Sequence, residues 1–542
     1  MAYLAAYGGP QTEQGQRAAA GVLWAPLYQP IFLGLFTAAF VSNIGTWIQN
    51  VAAAWLMTSL APNALMVGLV QTLSGLPIFL FIIPAGALAD LIDHRRLLLF
   101  AQLWMLASAA MLGLLTIEGF ITPWLLLLLT FVLGIGAALN NPVWQASLPD
   151  LVERRELSSA VALNGIQFNL ARALGPAIGG VLVAVIGAGN AFLINSASFL
   201  GVTAALYRWR CEREYSTLPA ERLVAAVRAG VRYTRYSPRL TAILFRTSAF
   251  IIGASALPAL LPLIARYELR IGATGYGELL AAFGAGGVVG GMLVPSVRRY
   301  LTRGHTLTGS TIIYAAVMAM LAEVGGTVPA FAAMFVGGGV WVLAMTALNV
   351  SAQIVVPHWV RGRALAIYQF VVQGAIALGG MIWGATASRS SLSLGLGIAA
   401  LFMVLCLITA LHYPLPESES FALEPADLMP PPAIGEINPE AGPVMVSVEY
   451  EINAAQAAEF RRAMQALRVI RFRDGAIFWG LFSDPERPGR YVEYFMVESW
   501  SEHLRQHGRA TGEDTPAFEQ ARRFHLGHTP PTVSHQIAAT GV

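Results

Sequence analysis

Apolar residues fill this 542-residue chain in long blocks from about residue 31 to 412. A helix crossing a lipid hydrocarbon core needs about 20 such residues. Windows of that size fall at 32–57, 65–89, 97–117, 122–145, 161–186, 188–207, 241–266, 275–297, 305–324, 328–352, 364–386 and 392–412, which predicts twelve spans. The pattern then changes. Residues 413–443 are rich in Pro and Glu, include Pro430, Pro431 and Pro432, and read as a linker. After it Val444, Val446, Val448, Tyr450 and Ile452 alternate with polar neighbours, as in a half-buried strand. Phe460, Met464 and Leu467 follow at helical spacing. Strands are expected at about 476–482 and 490–498, helices at about 501–507 and 514–525, and a last strand at about 533–537. This β-α-β-β-α-β order over 444–542 predicts a small ferredoxin-like α+β domain.

Composition supports lipid as the main solvent. The chain is 56% hydrophobic and 12% charged, about half the charge of a soluble protein, which runs near 25%. That argues against an ordinary soluble enzyme. The charge is also sorted. Residues 1–412 hold 23 Arg against 13 acids, a net +10; residues 413–542 hold 11 Arg against 18 acids, a net −7. All 34 basic residues are Arg. A chain without Lys has no P-loop and so no expected nucleotide-driven motor. The two cysteines, Cys211 and Cys406, form no disulfide or metal pattern.

Arg placement predicts orientation. With the N-terminus inside, the expected cytoplasmic loops carry 17 Arg and the external loops only Arg266, Arg270 and Arg389. The expected organisation is a cytoplasmic arm over 1–30, six spans over 31–207, a cytoplasmic linker over 208–240, six spans over 241–412, the Pro/Glu linker and the α+β tail, with both termini cytoplasmic. The arm lacks the basic start and cleavage site of a signal peptide. The linker is Arg-rich, with Leu223, Val224, Val227 and Val231 on one stripe; it reads as a helix on the anionic leaflet or as a regulatory segment.

The halves repeat. Ala138, Leu139 and Asn140 match Ala347, Leu348 and Asn349; Pro149 with Arg154 and Arg155 matches Pro357 with Arg361 and Arg363; Gly179 and Gly180 match Gly379 and Gly380. Two six-span halves with a central loop place a substrate site near the midplane between them.

The loop after the second span carries Gly86, Asp90, Arg95 and Arg96. This resembles the loop 2–3 gating signature of the major facilitator superfamily, and Asp93 in place of its later glycine resembles the siderophore-exporter branch. The fifth span holds Gly175, Pro176, Gly179 and Gly180, similar to the end of the fifth-helix signature of facilitator antiporters; Ala162 and Ala171 stand at its earlier glycines. The resemblance implies export, while a packing kink is the plainer reading of the same residues. The fourth span lacks the intramembrane Arg of proton-coupled drug exporters. Glu278, at the mouth of the eighth span, is the best-placed proton carrier, with an interfacial anchor as its other reading.

Polar side chains inside spans are costly in lipid and face a cavity or a neighbouring helix. The expected cavity set is Asn43, Trp47, Asn50, Asn140, Gln145, Gln167, Arg172, Arg246, Asn349 and Gln353. Arg172, near mid-span, would either attract an anionic or catechol-rich substrate or bond carbonyls near Pro176. For the amides, bonds between helices are the other reading.

In the tail, Glu498, Trp500, His503 and His507 resemble a strand-to-helix junction of the antibiotic-biosynthesis-monooxygenase family, which implies a dimeric barrel. His503 and His507 stand one turn apart, but no third ligand is evident and no metal or cofactor is expected. The resemblances together imply a proton-driven secondary exporter of the enterobactin-exporter branch in the plasma membrane. Its partners would be a siderophore or similar small molecule and the bilayer, with no nucleic acid, and a dimer through the tail. A multidrug efflux antiporter is the near alternative. A membrane-anchored tail enzyme is the alternative of another class.

Overall fold

The computed structural model describes residues 24–91, 93–153, 156–209, 223–323, 326–417, 437–526 and 529–539, leaving aside the side chains of 82–91, 146, 149, 158 and 223–227. Among these residues each apolar window is helical. The helices are α1 Pro30–Leu60, α2 Ala64–Leu91, α3 His94–Ile117 and α4 Pro123–Leu151. Next comes Leu157–Arg208, 52 residues long, far more than one bilayer crossing needs. It breaks at Gly187, where φ is 83°, a conformation that glycine adopts at little cost. The break separates α5 (157–186) from α6 (188–208). The linker helix α7 is Leu223–Arg235. The second half consists of α8 Pro238–Glu268, α9 Ala273–Tyr300, α10 Arg303–Glu323, α11 Thr327–Ile354, α12 Arg361–Arg389 and α13 Leu392–His412. Eleven apolar segments with one doubled give twelve crossings. Their outward surface is itself apolar: Val185, Met292 and Leu405 are 75%, 74% and 63% exposed, as a lipid-facing surface requires.

Among the described residues the chain divides into two units. The first lies within Met1–Ala220, Thr247–Ala347 and Gln369–His412, the second within Glu221–Arg246, Leu348–Tyr368 and Tyr413–Val542. The linker helix and the stretch around Trp359 therefore belong with the soluble domain.

In the first unit small residues let backbones touch. The repeated glycine pair does the same task twice. Gly179 faces Ile48 of α1, and Gly180 meets Gly277 of α9; Gly379 faces Ile252 of α8, and Gly380 meets Gly68 of α2. In each pair the first glycine packs within its own half and the second packs against the other half.

The loop after α2 is held by its polar residues. Asp93 caps α3, its Oδ1 accepting from the Arg96 backbone N–H at 2.9 Å. Arg95 donates to the Leu206 and Tyr207 carbonyls at 2.9 and 2.6 Å, placing a cation at the C-terminus of α6. The side chains of Gly86 and Asp90 lie outside the described residues, as do Arg154 and Arg155.

In the second unit the soluble domain runs β1 Val444–Glu451, α14 Ala457–Asp474, β2 Phe478–Ser483, β3 Arg490–Val497, α15 Trp500–His507, α16 Thr515–Arg523 and β4 Thr532–Ile537. The sheet order is β2-β3-β1-β4, antiparallel throughout. The alternating Val444, Val446, Val448 and Tyr450 are all buried, with Phe460, Met464 and Leu467 of α14 in the same core. Burying each such side chain stabilises by about 1.5–3 kcal/mol. Inside this core Glu493 is fully buried and accepts from Arg471 Nε at 3.0 Å and Trp479 Nε1 at 2.9 Å.

Candidate functional site

A cavity of about 390 Å³ lies in the first unit, walled by helices of both halves. Arg172 of α5 is its sharpest feature. The guanidinium stands 5.9 Å from the Trp47 ring of α1, within cation–π range, and among the described residues no carboxylate pairs with it. One turn on, Pro176 also lines the wall. Proline has no N–H, so the Arg172 carbonyl loses its helical donor. Arg172 thus brings both a cation and a freed carbonyl to one place.

The facing wall comes from α8, whose helix is interrupted at Ser255. Pro258 deprives the Ala254 carbonyl of its helical donor, and Tyr314 Oη donates to that carbonyl at 3.3 Å. The Ile252 carbonyl accepts from Trp383 Nε1 at 2.6 Å and Ser255 Oγ at 2.7 Å. Irregular backbone at membrane depth is tolerated where such groups re-satisfy it beside a cavity. Trp341 stacks obliquely at 6.1 Å from Tyr314 and 6.5 Å from Phe283. Amides of Asn50, Gln71 and Gln373 complete the wall. The result is an aromatic chamber with several amides, one unpaired cation and no carboxylate in its wall.

Contacts between the halves bracket this chamber along α2 and α12. On one side Gly68 meets Gly380; on the other, Phe79 and Phe370 stack at 4.0 Å. Near the Gly68 end a further cluster joins α1 to α8 and α9. Arg266 donates to Thr58 Oγ1 at 2.8 Å and to Ser59 Oγ, and lies 5.5 Å from the Trp55 ring. Trp55 in turn stacks on Tyr276 at 5.9 Å.

The structure brings Trp47, Asn50, Arg172 and Pro176 together in the wall. It does not place the other expected cavity residues there. Asn140 accepts from Gln102 at 3.0 Å, which is the inter-helix role. Gln145 and Gln353 are exposed, and Asn43 and Asn349 are half-buried elsewhere. Gln167 is 2% exposed with both amide atoms unpartnered. Arg246 is 5% exposed, outside the wall. Glu278 is exposed and also outside the wall. Gly175 and Gly179 receive Trp47 and Ile48 of α1, so the kink element seats the helix that carries the Arg172 partner. The sequence reading missed Gln71, Tyr276, Tyr314 and Trp341 as wall residues. The prolines four apart in the seventh span, Pro258 and Pro262, were the available signal for the broken helix.

In the soluble domain Glu498 pairs with Arg228 at 2.6 Å. Trp500 is buried edge-on to His535, and His503 lies 3.3 Å from His507 between ring nitrogens. Among the described residues no group of three His, Cys, Asp or Glu side chains is arranged to hold a metal.

Comparison with known proteins agrees with this architecture. The staphyloferrin A transporter of Staphylococcus aureus is 33% identical over 30% of this chain and 41% of its own. The multidrug efflux pump Tap of Mycolicibacterium fortuitum is 25% identical over 71% of this chain and 96% of its own. The enterobactin exporter EntS of Salmonella choleraesuis is 28% identical over 50% of this chain and 65% of its own. The match thus spans less than two thirds of the staphyloferrin and enterobactin transporters. Among solved structures, the inward-facing bacterial homologue of the human lysosomal transporter Spinster superposes with a TM-score of 0.57 at 14% identity, over 72% of this chain and 95% of that one. The nucleoside transporter NupG gives 0.58 at 12%, over 70% and 99%. These structures share the fold. The relatives and neighbours are transporters, not enzymes. The family model described as transmembrane secretion effector matches residues 21–541, and the chain belongs to that family of the major facilitator superfamily.

Proposed function

We propose that the chain is a secondary exporter that moves a small anionic or catechol-bearing metabolite, such as a siderophore, through the α1–α5–α8–α9 chamber by alternating access. The unpaired Arg172 guanidinium beside Trp47 carries this reading. A cation held away from water keeps a large desolvation cost until an anion or a polarised oxygen pairs with it. The Trp47 face and the Tyr314–Trp341–Phe283 cluster supply stacking surface for a ring. Drug-sized ligands occupy cavities of about 300–1,000 Å³, and this chamber is within that range. The relatives named for staphyloferrin A and enterobactin support the substrate class. The excess of Arg in alternate loops supports cytoplasmic termini in the plasma membrane. The Gly68, Gly180 and Arg266 contacts then close the outer end, and Phe79 with Phe370 forms the inner constriction. The proton gradient is the proposed driving force, and Glu278 its proposed carrier.

A second reading is multidrug efflux. It is favoured by the aromatic wall and by the match covering nearly all of the efflux pump Tap. Metabolite profiling of the medium separates the two. Cells with and without the gene, and with Arg172→Ala at equal membrane level, are compared. Export of an oxygen-rich iron chelator that disappears in both the deletion and Arg172→Ala supports the first reading. Unchanged metabolites with increased retention of cationic dyes in the deletion support the second and overturn the first.

A further inference from the structure

Three acids of the soluble domain meet three arginines at the entrance to the seventh span. Glu498 pairs with Arg228 and Glu502 with Arg232, both arginines on α7, and Glu513 pairs with Arg239 of α8. Arg228 and Arg232 stand four apart, one turn of the linker helix. The pairs follow the sorting of charge along the chain, basic before residue 413 and acidic after it.

The three pairs are unequal. Arg232 and Glu502 are only 13% and 14% exposed. Glu502 also accepts from Arg509, whose guanidinium lies 4.7 Å from the Trp359 ring. Burial opposes ionisation of Glu502, but Arg509 and Arg232 outweigh it and hold its carboxyl below the usual range. Beside it Tyr233 of α7 donates to the Val355 carbonyl at 3.0 Å and meets Trp359 edge-on. By contrast, Arg228 and Glu498 are 59% and 42% exposed, and Arg239 and Glu513 are 51% and 24%. Pairs so open to water hold weakly and are screened by salt. The soluble domain is therefore docked by one shielded node and two exchangeable outer pairs.

The outer arginines have a second anion within reach. The linker helix ends at Arg235, three residues before Pro238 opens α8. Three residues of chain reach about 10 Å at most, and Arg239 is the second residue of α8 itself. The end of α7 thus lies at the bilayer surface. Arg228, Val231 and Arg235 form one exposed stripe of α7, with Val231 52% exposed. The other side is taken: Gly230 packs on Arg363 and Ile367 of α12, and Tyr233 on Trp359. An exposed valine between arginines is the composition of a helix lying among lipid headgroups. Anionic headgroups attract a surface arginine about as strongly as an exposed carboxylate does.

We propose that Arg228 and Arg239 exchange between Glu498 and Glu513 of the soluble domain and the phosphates of anionic phospholipids, so that an anionic leaflet releases the soluble domain from α7 and the start of α8. The linker is then a lipid site, and the acidic domain is its internal competitor. The site stands independently of the exporter reading, because its test reads docking and not transport.

The test is a pulsed electron–electron distance measurement on the full chain in lipid nanodiscs, with spin labels at positions 358 and 465 in a cysteine-free background. His358 lies in the turn before α12 and Gln465 on α14; both are exposed and take no part in the pairs. An equal mixture of phosphatidylcholine and phosphatidylglycerol is expected to give a longer-distance population several-fold larger than phosphatidylcholine alone. Glycerol phosphate added to phosphatidylcholine discs at constant ionic strength is expected to give none. Two double variants break the same pairs from opposite ends. Arg228→Gln with Arg239→Gln removes the lipid ligands and should abolish the response to phosphatidylglycerol. Glu498→Gln with Glu513→Gln keeps them and should lower the phosphatidylglycerol fraction needed for release several-fold. An unchanged distance distribution in phosphatidylglycerol, or equal release by glycerol phosphate, overturns the lipid site. The same response from both double variants overturns the exchange.

Discussion

Gly180 of α5 and Gly277 of α9 touch backbone to backbone: a Cβ on either would stand 2.6 Å from the Cα of the other. The same relation recurs between Gly380 of α12 and Gly68 of α2. Both crossings join one half of the bundle to the other, and both second glycines come from the repeated pair. Any side chain there separates the halves.

Gly180→Ala should therefore lower the melting temperature of the detergent-solubilised protein, despite alanine being the better helix former by about 1 kcal/mol. Overpacking at such a contact costs about 1–3 kcal/mol. Gly165→Ala is the control on the same helix, since a Cβ there meets nothing within 4 Å. It should hold or raise the melting temperature. Equal effects from the two variants would show that the crossing is not tight.

Arg172→Ala should abolish substrate transport while leaving membrane levels within about twofold of wild type, because truncation at a cavity wall removes a desolvated charge rather than a packed partner. Arg172→Lys should keep part of the activity, since it retains the charge but loses the flat guanidinium that faces Trp47. Levels collapsing in both variants would make Arg172 a structural residue.

Arg266→Ala removes hydrogen bonds to Thr58 and Ser59 and the contact with Trp55. Hydrogen bonds of a charged donor contribute about 2 kcal/mol. The arrangement joined at this end should lose population by roughly thirtyfold at that energy. Spin labels at positions 61 and 268, whose side chains take no part in these contacts, in a cysteine-free background would report the longer distance. An unchanged distance distribution would remove Arg266 from the set of contacts that hold the halves together.

Glu278 sits on the exposed side of α9, while Tyr276 and Leu280 of the same helix line the chamber. If Glu278 carries the coupling proton, Glu278→Gln should still bind substrate but show no response to an imposed pH gradient in liposomes. A full response in that variant assigns coupling to another group.

The soluble domain should lose stability as pH falls below about 6.5. His503 is held down to about 3 in the folded domain by burial, His507, His535 and Arg471. The unfolded chain, with an ordinary imidazole near 6.5, then binds the proton more readily, so acid favours unfolding. The loss is about 1.4 kcal/mol for each pH unit once below that value. Near-ultraviolet circular dichroism and proteolysis of the domain between pH 7 and 4.5 would follow it. His503→Phe should flatten the dependence if it folds, and a slope unchanged in that variant would assign it elsewhere.

Much of the fold was legible because lipid imposes one rule. Each span must be apolar for about 20 residues, so windows such as 97–117 and 392–412 coincide with α3 and α13. The strand alternation from Val444 to Tyr450 was equally readable, since one face of that strand is buried. The site was only half legible. Asn50 and Arg172 are expensive in lipid and stood out, with Trp47 noted only for its place beside Asn50, whereas Tyr276, Tyr314 and Trp341 belong to types common throughout apolar helices. Asn140 and Gln145 stood out for the same reason as Arg172, yet one bonds to Gln102 and the other is exposed.

The sequence by itself determined the number of crossings, the sorting of Arg among the loops, the soluble domain and the repeated Gly179–Gly180 and Gly379–Gly380 pairs, because these follow from solvent and chain period alone. Only the tertiary structure decided which polar groups share a cavity. That depends on how each helix is turned about its axis, and the turn is set by contacts far apart in the chain: Gly180 on Gly277, Gly68 on Gly380, and Tyr314 on the carbonyl that Pro258 leaves free. The same holds in the soluble domain, where His535 reaches His503 through the pairing of β4 with β1, and no local spacing in the sequence encodes that approach.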